Sequence, residues 1–266
     1  MRFLVIILFI FLSCSDSSKH KEQLDHSKST SIKSENVDST NYNVDSLRDV
    51  MFPEYIRVTD RNSLEYLTQF NKTNTANKVR IMTPYGNMDF ILYKDTPLHR
   101  SSFIHLILQD YFSNIEITRI RKDHVVQGGN SQEESKAMQR FLMGNYTIPS
   151  EFRNHHIHKK GALALARQMN DNPNKESEPY DFYIVHGRKS GGAELFNIQK
   201  EKGISYTTEQ KDLYKKTGGT PHLDNDFTVF GEIISGYSVL NKIANLEVDS
   251  KDWPKDDLII SIEIID

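Results

Sequence analysis

Apolar positions along this chain fall into short sets whose spacing changes character several times. At the start, Arg2 precedes an unbroken apolar run from Phe3 to Leu12. That run is too short for a permanent membrane-spanning helix and has the layout of a secretory signal peptide. From Ser15 to about Ser46 apolar residues nearly vanish, and Ser, Lys, Asp, Glu and Asn dominate. Such a stretch buries too little surface to offset its ordering entropy, which predicts a disordered linker over 15–46. Leu64, Leu67 and Phe70 then recur at helical spacing, predicting a short helix over Asn62–Asn71 within a lead-in spanning 47–77.

From residue 78 to 266 the pattern is mostly that of strands. Val79–Thr83 and Met88–Tyr93 flank the turn-forming Pro84-Tyr85-Gly86-Asn87 and predict a hairpin. Thr96-Pro97 supplies a helix N-cap with proline at the first helical position, and Phe103, Leu106 and Ile107 extend that helix to about Gln109. Strands are predicted at Ile115–Ile120, Ala162–Arg167, Phe182–His186 and Phe227–Ile233, with a second core helix over Ser238–Leu246. Ile260, Ile262 and Ile264 alternate with Ser261 and Glu263, the period of a half-buried final strand. The connection Arg188–His222 carries a helix-like pattern near Thr207–Lys216, opened by Thr207-Thr208 and stopped by Gly218-Gly219. Loops of that length are functional or disordered, and the sequence leaves the choice open. Periodicity alone gives a mixed, mostly β domain.

Charge excludes some classes of function. Thirty-three Lys and Arg against 36 Asp and Glu leave a net charge of −3, and no basic block points to nucleic acid. Arg188-Lys189-Ser190-Gly191-Gly192 lacks the spaced glycine of a phosphate-binding loop. Cys14 is the single cysteine, so no disulfide can form within the chain and stability must come from the core. Its place, after Ser13 at the end of the apolar run, is that of the lipidated residue in a bacterial lipoprotein signal, here spanning 1–14. Phe11 departs from the Leu, Val or Ile usual three residues earlier; the alternative is an ordinary signal peptide with Cys14 incidental. Several acyl chains would hold the protein firmly on a membrane of the bacterial cell envelope, inner or outer. Asn154-His155-His156-Ile157-His158 suggests a metal cluster, but no second ligand cluster lies nearby in sequence. It reads as one structural histidine and two exposed ones with no metal, His158 being the structural one by the family resemblance described below.

An ordered series of segments carries the chemistry. Arg119 precedes Gln127-Gly128-Gly129 with seven residues between Arg and Gln; then come Gly161–Arg167, Asp181–Val185, Leu223-Asp224 and Val229-Phe230-Gly231. Together, from about Val79 to Asp266, they resemble the cyclophilin family of peptidyl-prolyl cis/trans isomerases. The resemblance implies a closed antiparallel β-barrel capped by two helices, no cofactor, and polypeptide clients containing X–Pro bonds. It places Arg119 at the family's catalytic arginine and Gln127 at the glutamine that orients it. Ala166 and Arg167 fall where backbone pairs with the bound peptide, Tyr183 at the aromatic floor of the proline pocket, and Leu223 at its aliphatic wall.

The same alignment exposes departures around that pocket. His124 and Val125 replace Phe-Met, Phe227 replaces a histidine, and His222 stands where some members have tryptophan. Asp181 replaces the glutamine of Q-F-F-I, and its carboxylate could pair with Arg119. The implied function is an isomerase assisting protein folding in the bacterial envelope. The alternatives are a catalytically impaired module binding proline-containing peptides, or a structural partner using the Arg188–His222 insertion. The sequence gives no oligomeric state. Cys14→Ala is expected to abolish fatty-acid incorporation in metabolic labelling; label retained by the variant would rule out this site.

Overall fold

The computed structural model describes residues 51–265; Cys14 and the 15–46 linker lie outside them. The first described helix, α1 (Ser63–Thr73), buries Ser63 and Leu67 and leaves Leu64 exposed. Tyr66 and Phe70 complete its inner face, which is centred about a third of a turn away from Leu64. A two-residue turn joins β1 (Lys78–Thr83) to β2 (Gly86–Leu92), with Thr83 opposite Gly86. Helix α2 (Pro97–Leu108) follows as predicted, but its N-terminus is not capped by the Thr96 side chain. Glu151 does that work: Leu98 N and His99 N donate to its two carboxylate oxygens at 3.1 and 2.9 Å. An acidic group there also complements the helix dipole. Because α1 packs across α2, residues His99 to Leu106 are all buried, and the lead-in is part of the folded unit.

The remaining strands are β3 (Ile115–Arg121), β4 (Val125–Gly128), β5 (Ala162–Leu165), β6 (Phe182–Val185), β7 (Val229–Ser235) and β8 (Ile259–Ile264). They close into a barrel in the order β1-β2-β7-β5-β6-β4-β3-β8, with every neighbouring pair antiparallel. Closure leaves no free strand edge. Inside, Phe103 from α2 meets Phe112, Phe182 and Phe230 at ring-centre distances of 4.8, 5.7 and 5.3 Å. Leu240 and Ile243 of α6 (Tyr237–Ile243) join the same core.

Two helices the sequence pattern does not predict, α3 (Glu134–Met143) and α4 (Gly192–Lys202), are also present, and the helix-like pattern near Thr207–Lys216 is α5 (Thr208–Lys216). The 188–222 insertion is therefore ordered. Thr207 and Gln210 form a reciprocal capping box at the start of α5. Leu195, Ile198, Tyr206 and Tyr214 bury a small core of their own with Ile157. No helix among the described residues is long and apolar enough to cross a membrane.

Candidate active site

The barrel wall has two apolar faces, and the second one forms the site. Along β6, Phe182 and Ile184 point into the main core, while Tyr183 and Val185 point the other way. In β5, Leu163 and Leu165 face inward while Ala162 and Ala164 face outward. Val125 of β4 and Val229 of β7 join the outward set, and Tyr93, Ala166, Leu223 and Phe227 pack against it. The result is a second apolar cluster on the outer side of the closed barrel: its strand members are buried, and Tyr93, Ala166, Leu223 and Phe227 at its margin are half-buried.

Polar residues border this patch in register. Arg119 pairs across the ladder with Gln127, Gln127 with Tyr183, and Tyr183 with Ala164, so the four form one row. Simple alternation along Ile115–Ile120 would send Arg119 inward beside Ile115 and Ile117. A register shift between Ile117 and Arg119 prevents this: the extra residue, Thr118, resets the phase, so Ile120 enters the core and Arg119 does not. The following glycines have a steric cause. A Cβ on Gly128 would lie 2.8 Å from Glu116 O, and one on Gly129, whose φ is +104°, would lie 2.5 Å from Tyr180 O.

Arg119 is partly exposed, and its Nε donates to Asp252 Oδ2 at 3.3 Å. Asp181 does not pair with it, contrary to the expectation from sequence. Its carboxylate instead receives the Gln127 side-chain amide, Nε2 lying 3.0 and 2.9 Å from the two oxygens. Burial pushes the Asp181 carboxyl up to about 7, and the neighbouring Glu178 charge adds to this; the Gln127 hydrogen bond and the Arg119 charge oppose it. Ala166 also departs from expectation. Its N–H donates to Asp181 O and its C=O accepts from Glu178 N, both at 2.8 Å, so its backbone is already engaged. Arg167 lies just past the end of β5; its Nε donates to Asp226 O at 2.6 Å and its guanidinium covers the Phe227 ring at 4.9 Å. Phe227 in turn meets Tyr183 edge-on, 5.8 Å between centres.

The floor of the patch is tied to the insertion through a buried polar chain. Asp224 accepts from His158 N at 2.8 Å, from Tyr206 OH at 2.7 Å and from Tyr214 OH at 2.5 Å, and meets His158 Nδ1 at 2.7 Å. With Nδ1 donating to a carboxylate, His158 Nε2 is left to accept from the Tyr183 hydroxyl at 2.9 Å. The sequence places Leu223 in the pocket but gives no role to its neighbour Asp224. Asp252, 133 residues from Arg119, carries no spacing signal at all.

At the Val125 end, His124 Nε2 and His222 Nε2 lie 3.1 Å apart. Burial, then the His222 charge, lower His124 to about 4; burial also lowers His222. At the Gln127 end a cavity of about 430 Å³ opens, with Asp171, Glu176, Glu178 and Asp181 in its wall against the single cation Arg140.

The sequence profile of the family described as "Cyclophilin type peptidyl-prolyl cis-trans isomerase/CLD" matches residues 78–264. This chain belongs to the cyclophilin-type peptidyl-prolyl isomerase family. A candidate bifunctional phosphatase/peptidyl-prolyl cis-trans isomerase of Streptococcus pyogenes is 32% identical over 199 residues, covering 73% of this chain and 40% of that protein. The chain thus spans less than half of that relative. A candidate peptidyl-prolyl cis-trans isomerase of Staphylococcus haemolyticus is 29% identical over 74% of this chain and 97% of its own length. Among solved structures, a cyclophilin-type isomerase of Cryptosporidium parvum superposes with a TM-score of 0.52 at 21% identity, over 72% of this chain and 98% of that one. The same protein was also crystallised in the presence of the dipeptide Ala-Pro, with a TM-score of 0.51 at 21% identity over 71% and 99%. These likenesses establish the cyclophilin fold.

The Asp181 environment predicts a pH dependence of stability. The folded carboxyl keeps its proton to about pH 7, whereas an unfolded aspartate releases it near about 3.9. The folded cyclophilin chain therefore binds the extra proton between those values, and this contribution to stability is complete below pH 4 and lost as pH rises through 7. Urea unfolding midpoints of the wild type should fall between pH 5 and pH 8 by more than those of Asp181→Asn. Equal falls would exclude this source.

Proposed function

We propose that this chain catalyses cis/trans isomerisation of X–Pro bonds, acting on exported polypeptides in the bacterial envelope from a lipid anchor at Cys14. The observation that carries the catalytic reading is the Arg119–Gln127–Tyr183 row bordering an outward apolar patch. The anchor rests on the sequence pattern around Cys14 alone.

The chemistry asks little of the protein. Resonance in the peptide bond sets a barrier of roughly 18–20 kcal/mol, and unaided X–Pro bonds turn over in tens to hundreds of seconds. No covalent bond breaks, so the site need only hold the proline and favour the twisted amide. Tyr183, Leu223, Phe227 and Val125 supply an apolar seat for the pyrrolidine ring. Twisting removes conjugation and turns the proline nitrogen into an acceptor, and the Arg119 guanidinium donates to it there. Asp252 holds Nε and leaves the terminal NH₂ groups for the substrate. Arg167, whose backbone has no hydrogen-bond partner among the described residues, is the better candidate than Ala166 for pairing with the peptide backbone.

One observation favours a second, weaker-enzyme reading. The Gln127 amide is occupied by Asp181 and cannot donate to a substrate while that contact lasts. The carboxylates around the adjacent cavity further suit a client with a basic residue near the proline.

Arg119→Ala should lower kcat/KM on an X–Pro peptide by roughly ten- to a hundredfold, the worth of a charge-assisted hydrogen bond of about 1.5–3 kcal/mol. The far-ultraviolet circular dichroism should be unchanged. An unaltered rate in the folded variant would reject the assignment, and an inactive wild type that still binds the peptide would favour the binding module. In Asp181→Gln, a gain on both Ala-Pro and Lys-Pro peptides supports the occupied-Gln127 reading, whereas a loss confined to the Lys-Pro peptide that shrinks with salt supports selection by charge. Identical behaviour of both proteins on both peptides would make Asp181 a bystander.

A further inference from the structure

On another side of the barrel, the fold assembles a group that the sequence keeps far apart. Asp95, in the turn between β2 and α2, receives both adjacent histidines of the loop leading to β5. His155 Nε2 lies 2.8 Å from Asp95 Oδ2, and His156 Nε2 lies 2.8 Å from Asp95 Oδ1. One ligand atom from each residue can be chosen so that all three lie within 4.8 Å of one another. His155 and His156 lie at a tight turn in which His156 N donates to Arg153 O at 2.9 Å, and both rings converge on a single carboxylate. His156 is held in place: its ring stacks on Tyr93 with 3.7 Å between centres and 8° between planes, and its side chain is only 12% exposed. His155 is largely open to solvent, at 67%.

We infer that Asp95, His155 and His156 bind a divalent cation of the zinc or nickel class. Two imidazole nitrogens and one carboxylate are the donors that such borderline ions take, whereas magnesium and calcium ask for oxygens alone. Ligand atoms around a tetrahedral zinc lie about 3.3 Å apart, given bonds of about 2.0 Å. The two nitrogen-to-oxygen separations here, each 2.8 Å and to different oxygens of Asp95, are hydrogen-bond lengths, so the three side chains open by about half an ångström to admit the ion. Binding uses the Nε2 lone pair of each neutral imidazole, so the N–H that now faces Asp95 moves to Nδ1 with no net loss of a ring proton, and the remaining coordination position is left to water on the exposed His155 side. The sequence argument against a metal rested on the lack of a second ligand group nearby; Asp95 supplies one from 60 residues away.

The ion would also have a mechanical effect. It would fasten the loop carrying Glu151, which caps α2, to the turn that opens the same helix. Ligation of the folded chain alone raises its stability.

Calorimetric titration of the full chain with zinc chloride at pH 7 tests the site, with thermal unfolding in parallel. Saturable one-to-one binding is expected, with a rise in the unfolding midpoint. His155→Ala and Asp95→Asn should each weaken it about tenfold or more, since even outer-sphere partners of a metal cost that much. His156→Phe keeps the stack on Tyr93 while removing the ligand, and should do the same without loss of fold. Cys14, His20, His26, His186 beside Asp123 and the His124–His222 pair are among the competing donors in the chain. Absence of saturable binding overturns the proposal. So does binding that survives all three substitutions, or binding that disappears only in His222→Ala.

Discussion

Strand side chains alternate between two faces, and in a closed barrel each face has a fixed destination. In this chain the inner face is filled by phenylalanines and aliphatic residues, so whatever alternates with them must go outside. The active-site patch depends on that constraint: Tyr183 lies outside because Phe182 and Ile184 are inside, and Ala164 because Leu163 and Leu165 are inside. The site is precise because the core is. A substitution that slipped the register by one residue would exchange pocket and core together.

Arg119 is the instructive exception. Strict alternation would bury it, and a buried unpaired guanidinium is far too costly to tolerate. The bulge at Thr118 resolves the conflict locally and delivers the cation to the rim of the patch. The price is a disrupted ladder at one position, balanced by the Ile120 side chain returning to the core.

Much of this was legible in the residues, for reasons that can be stated. Ile260, Ile262 and Ile264 marked a strand because period two is a local property, and Thr207 marked a helix start because a capping box spans only a few residues. The resemblance carried by the ordered motifs implied the barrel and aligned Arg119, Gln127 and Tyr183 with site positions; their cross-strand row is visible only in the structure. Helix α4 was not anticipated: its buried residues are only Leu195 and Ile198, too few to set a period. Glu151 as the cap of α2, Asp252 as the partner of Arg119 and Asp95 beside the histidines were invisible for a common reason. Each is a single polar residue meeting its partner across tens of residues, and no local spacing records such a meeting. Asp181 stands out in the alignment as a departure that could pair with Arg119 but pairs with Gln127, because alignment locates a side chain without saying which neighbour it will choose.

The insertion deserves to be seen as a buttress rather than a decoration. Tyr206 and Tyr214 end on Asp224, which turns His158 toward the hydroxyl beneath the apolar patch. A phenylalanine floor would be held by packing alone, whereas this tyrosine floor is held by a hydrogen-bonded strut whose far end stands in the inserted helices. The inserted segment can therefore vary freely in length or composition only where it does not touch the strut. Its exposed turns are open to drift, while the two tyrosines are bound to the same fate as the pocket they support.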